Sequence, residues 1–100
     1  MVINEPAVPV KDAVRGACEM LGYDVLQVAN EGKMVCVVPA EEAQAALAAM
    51  QASPYGEDAA IIGDVCAADE AIGPKVYLKT AFGSTRILDM LVGEQLPRIC

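Results

Sequence analysis

Apolar residues recur at helical spacing over Val10, Ala13, Val14, Ala17, Cys18 and Leu21, with Lys11, Asp12, Arg15 and Glu19 on the opposite side. That alternation predicts an amphipathic helix. Pro9 suits its first turn and Gly22 the position just past its end, while Gly16 weakens its interior. Tyr23 to Ala29 reads as a strand, and Met34-Val35-Cys36-Val37-Val38 is a continuous apolar run, the pattern of a strand buried on both faces. The polar turn Asn30-Glu31-Gly32-Lys33 between them predicts a hairpin. A second helix is expected from Ala40 to about Gln51 or Ala52, after Pro39. Glu41 and Glu42 fall in its first turn, and Ala43, Ala46, Leu47 and Met50 form a small inner face that packs close to a sheet.

Beyond the loop Ser53-Pro54-Tyr55-Gly56, strand patterns cover Ala59–Val65, Val76–Thr80 and Thr85–Leu88. Gly63 marks a bulge or a close approach in the first of these. Ala81-Phe82-Gly83-Ser84 turns the chain between the other two. Asp89 to Val92 extends the apolar run as a strand end or a short helix. Residues 1–8 show no period and read as a connector whose first residues are open to being an artificial start. The order is helix, strand, strand, helix, then three strands. That predicts an α+β fold with a mostly antiparallel or mixed sheet and helices packed on one face. The other sheet face would lie open unless another domain covered it.

The last eight residues, Gly93 to Cys100, complete no period and read as a mobile arm following a domain at 9–92. Eight extended residues reach roughly 25 Å. Such an arm can carry the thiol of Cys100 to another protein. A free thiol titrates near pH 8.5 on average. The α-carboxylate on the same residue opposes a second negative charge and Arg98 offsets it, so Cys100 needs a partner to activate it. Prenylation is excluded, because that signal places the cysteine four residues from the end. The bland alternative is a cysteine that happens to stand last.

Composition narrows the classes. One hundred residues with 55% hydrophobic side chains suffice for one domain. Fourteen acids against seven bases give a net charge of −7, which argues against nucleic acid and anionic membranes as partners. No apolar run approaches membrane-spanning length and no signal peptide opens the chain. Cys18, Cys36 and Cys66 fall in apolar segments, where free cysteine packs as a small hydrophobe, the usage of a reducing cytoplasm. Without histidine or CxxC spacing, zinc and dithiol chemistry are weakly supported and the usual catalytic triad is excluded. Gly83-Ser84 lacks the spacing and lysine of a phosphate loop. Glu31 is a turn residue that becomes a general base or hydrogen-bond acceptor if the hairpin faces a site. No self-contained catalytic constellation is present.

Three segments carry a family resemblance: Val28-Ala29-Asn30-Glu31-Gly32-Lys33, Ala60-Ile61-Ile62-Gly63-Asp64-Val65, and the long closing stretch from Leu78 to Cys100 ending Leu96-Pro97-Arg98-Ile99-Cys100. They resemble the C-terminal part of the HypE family of hydrogenase maturation factors, whose C-terminal domain is shared with aminoimidazole ribonucleotide synthetase. The resemblance runs from about residue 8 and leaves the domain's front edge open. It implies that Cys100 receives a carbamoyl group from the carbamoyltransferase HypF, and that an ATP-dependent dehydration converts the S-carboxamide to a thiocyanate. Cyanide then passes to iron on a HypC–HypD complex, for a nickel–iron hydrogenase. By position, Cys100 is the modified residue and Glu31 the candidate base. The resemblance further implies ATP and Mg²⁺ sites in an N-terminal half that this chain lacks, a homodimer of the longer protein, and no turnover by this chain alone. A rival reading from the residues is a non-catalytic α+β module that docks through its sheet face.

Overall fold

The computed structural model describes residues 1–68 and 73–89. The chain divides into two compact units. One comprises Met1–Pro9 with Cys36–Asp89, and the described part of the other is Val10–Val35.

The first unit is built on a four-stranded mixed sheet in the order β2-β1-β3-β4. Its strands are β1 (Val2–Asn4), β2 (Gly63–Asp64), β3 (Tyr77–Lys79) and β4 (Thr85–Ile87). β1 pairs antiparallel with β2 and parallel with β3, and β3 pairs antiparallel with β4. The opening residues are therefore an inner strand rather than a connector. Three residues are too few to display a period, and their backbone hydrogen bonds on both sides hold them. Asn4 N donates to the Ile62 carbonyl at 2.8 Å and Tyr77 N to the Met1 carbonyl at 2.9 Å. The expected strand over 59–65 is correspondingly short, with ladder pairing only at Gly63–Asp64. The hairpin of β3 and β4 matches its pattern. Register places Ile3, Leu78 and Arg86 side by side on one face, and Leu78 is fully buried. Val2, Tyr77 and Ile87 share the other face, where Ile87 is 48% exposed.

In the same unit, Pro39 leads into a 3-10 turn over Ala40–Glu42 and then α2 (Ala43–Gln51). Ala43, Ala46, Leu47 and Met50 are its half-buried residues, the face that the 3.6-residue period predicts. The helix end is tied down locally. Ser53 Oγ donates to the Ala49 carbonyl at 2.9 Å, and Gln51 Nε2 to the Ala59 carbonyl at 3.1 Å. Gly56 lies so close to the Met50 carbonyl oxygen that a Cβ there would overlap it.

The second unit contains α1 (Asp12–Leu21), which starts after an extended Lys11 rather than at Pro9. Its end is a Schellman motif. Gly22 takes φ 71°, Tyr23 N donates to the Cys18 carbonyl at 2.8 Å, and Gly22 N to the Glu19 carbonyl at 3.4 Å. Only Cys18 of the expected inner face is buried, and Val14 and Leu21 stay 46% and 61% exposed.

The hairpin expected over residues 23–38 does not form. Residues Val25–Gln27 make a 3-10 turn instead, because Asp24 Oδ1 accepts the Leu26 N–H at 3.0 Å and diverts a donor that a ladder would need. Met34 to Val38 has no regular structure, and Met34, Val35 and Val37 are 65–78% exposed. An apolar run of this kind is stable as a strand only with neighbours on both sides and cover on both faces. No pairing to it is seen among the described residues. Cys36 and Cys66 are likewise exposed, so of the three interior cysteines only Cys18 packs as a hydrophobe.

Candidate functional site

Glu31 lies in the second unit on a bend, and all of Asn30–Lys33 is exposed. Gly32 takes φ 78°, the left-handed conformation that glycine adopts at no steric cost, and this sets the direction in which the chain leaves Glu31. The carboxylate is thus presented to solvent on a short polar turn, open to a substrate brought to it. Cys100 and the whole arm from Gly93 lie outside the described residues. So do Met90–Val92 of the segment before it, while Asp89 is described and irregular.

In the same unit, Val14, Ala17, Cys18 and Leu21 of α1 line a shallow apolar groove with Tyr23 and Val28. The lining is apolar apart from the Cys18 thiol and the Tyr23 hydroxyl.

Two features outside the sequence-derived candidates stand out in the first unit. Tyr55 has φ 67° and is 98% exposed. Phe82, at the tip between β3 and β4, is 97% exposed. The motif Ala81-Phe82-Gly83-Ser84 signals the turn, but nothing in its spacing signals that the aromatic ring points to water.

Among the described residues, no group of three or more acidic or cysteine side chains is placed to hold a metal ion. The described glycines make no phosphate cradle of the P-loop kind. No helix among them is long and apolar enough to cross a membrane.

The fold of the chain is shared with known proteins. Residues 1–73 match the family described as AIR synthase related protein, C-terminal domain. The chain belongs to that family. It is 52% identical over all 100 residues to the carbamoyl dehydratase HypE of Azotobacter vinelandii, covering 28% of that protein. It superposes on a crystal structure of the hydrogenase maturation protein HypE in complex with ATP with a TM-score of 0.88 at 49% identity. That match covers 99% of this chain and 30% of the other. It also superposes on HypE from a HypE–HypF complex, with a TM-score of 0.80 at 42% identity, over 90% of this chain and 28% of that one. The chain therefore spans under a third of the length of the curated relatives it matches. The family assignment includes residues 1–8, in keeping with the inner position of β1.

Proposed function

We propose that this chain is the C-terminal part of a carbamoyl dehydratase of the HypE type, acting in the maturation of a nickel–iron hydrogenase. The observation that carries the reading is identity of about half over the full 100 residues with a carbamoyl dehydratase HypE.

In this reading Cys100 is the acceptor. Its sulfur bonds the carbamoyl carbon delivered by a HypF-type carbamoyltransferase, and the thiol proton leaves with the donor's leaving group. Dehydration of that S-carboxamide removes the carbonyl oxygen and both nitrogen protons, leaving a thiocyanate on sulfur. The nitrogen protons need an acceptor, and Glu31, a solvent-presented carboxylate on a short turn, has the chemistry for it. An amide oxygen is a poor leaving group. Its activation by ATP, with Mg²⁺ as counter-ion, belongs in this reading to the further length that the relatives have. Passage of that carbon to iron as cyanide breaks the sulfur–carbon bond, leaves a thiolate on Cys100 and takes up two electrons, which the acceptor, a HypC–HypD complex, has to supply. The longer protein works as a homodimer in the cytoplasm, where free thiols stay reduced.

The test replaces Cys100 by serine in the full-length protein. Hydrogenase maturation is expected to be lost, because a hydroxyl has a far higher pKa than a thiol and is a poor carbamoyl acceptor without a dedicated base. Maturation at the wild-type level by Cys100→Ser would sink the reading. Glu31→Gln is expected to leave carbamoylation intact and to slow the dehydration on the order of a hundredfold or more, the scale of a lost general base.

A further inference from the structure

The turn that carries Glu31 also carries a cation, Lys33, two residues further on. In sequence, no other base lies near: the preceding one is Arg15 and the following one Lys75. Both turn residues are exposed. Among the described residues, neither the Glu31 carboxylate nor the Lys33 ammonium has a hydrogen-bond or ion-pair partner. A Cβ added to Gly32 between them would meet nothing within 4 Å, so the space beside the turn is open. Two residues span roughly 7 Å even when fully extended. Both side chains are long enough to reach one small group from that spacing. An exposed contact between them would add little to stability, so packing within the turn does not account for the lysine.

The dehydration given under Proposed function creates a need for such a cation. ATP phosphorylates the amide oxygen, and the first nitrogen proton leaves in that step. The carbon–oxygen bond then breaks, and its electron pair departs with the oxygen as phosphate. The second nitrogen proton goes to Glu31, and its bonding pair completes the carbon–nitrogen triple bond. A carboxylate and a departing phosphate thus face the same carbon, and the two anions repel each other. A positive charge aimed at the oxygen offsets that repulsion and grows in effect as the bond breaks. A lysine ammonium suits the task, being a compact charge with three rotatable donors on a flexible stem.

We propose that Lys33 is a second catalytic residue of this dehydration, its ammonium holding the oxygen that leaves while Glu31 takes the nitrogen proton. The proposal rests on the reading given under Proposed function and assigns the other half of the same turn.

The experiment uses the full-length protein, carbamoylated by HypF, and follows the loss of water after ATP addition by intact mass. It compares the wild type with Lys33→Met, Lys33→Arg and, as a control for net charge in the same unit, Lys11→Met. Lys33→Met is expected to accept the carbamoyl group as the wild type does and to lose water on the order of a hundredfold more slowly, the scale of one lost transition-state donor. The ATP concentration for half-maximal rate is expected to stay unchanged. Lys33→Arg, which keeps the charge, should recover most of the rate, and Lys11→Met should match the wild type. A wild-type rate in Lys33→Met overturns the proposal and leaves the functional reading intact. So does an Arg variant as slow as the Met variant, or a defect confined to the ATP dependence. A lowered melting temperature of Lys33→Met assigns the lysine to stability and also overturns it. A wild-type protein that gains no carbamoyl group on Cys100 overturns the functional reading and this proposal with it.

Discussion

Gly63 of β2 packs directly beneath the Val2 carbonyl of β1, leaving no volume for a Cβ. The contact is backbone on backbone inside the sheet, so neither partner can swing away. Gly63→Ala is expected to cost about 1–3 kcal/mol, the range for overpacking a filled site. A thermal melt unchanged by Gly63→Ala would contradict the close approach and the inner position of β1.

The same logic applies at the end of α2. Gly56 sits against the Met50 carbonyl, which also accepts the Ser53 N–H at 3.1 Å. An added methyl would push the loop off the helix end and break that bond. Gly56→Ala should destabilise by about 1–3 kcal/mol. Ser53→Ala removes only an exposed side-chain bond to Ala49 and should cost less, about 1 kcal/mol or below. Denaturant midpoints of the two variants give the comparison, and equal effects would count against the packing described.

These contacts show where the pattern of residues was informative. The inner face of α2 follows from its 3.6-residue period, and the β3–β4 hairpin from two short apolar runs around a glycine turn. Gly63 was legible as a bulge or a close approach, and its contact with the Val2 carbonyl makes it the close approach. Val2–Asn4 was not legible, since a three-residue strand owes its place to pairing with β2 and β3 rather than to its own composition. Tyr23–Ala29 misled because one side chain, Asp24, captures a backbone donor and turns the segment. Met34–Val38 carries a central-strand pattern but pairs with no strand among the described residues, and an apolar run without neighbours does not make a strand. Of the two candidate site residues, Glu31 stands on the turn its neighbours predict, while Cys100 lies outside the described residues.

The interior cysteines divide by exposure. Cys18 is 5% exposed, whereas Cys36 and Cys66 are exposed. Titration of the native chain with a disulfide reagent should modify Cys36 and Cys66 quickly and Cys18 only on unfolding, read by peptide mass. Cys18→Ser buries a hydroxyl and is expected to cost about 1–3 kcal/mol if no partner meets it. Cys36→Ser and Cys66→Ser, as surface changes, should stay within about 0.5 kcal/mol. Rapid labelling of Cys18 would show that the α1 end is not packed as described.

The central claim is that Cys100 carries the reacting carbon, and intact mass spectrometry reads it directly. The full-length protein is incubated with HypF, carbamoyl phosphate and ATP, and the modified residue is located by fragmentation. The account predicts the gain of one carbamoyl group on Cys100, followed by the loss of one water as the thiocyanate forms, with the carbamoylated species accumulating in Glu31→Gln. A Cys100 that stays unmodified while another residue gains the carbamoyl group would contradict it.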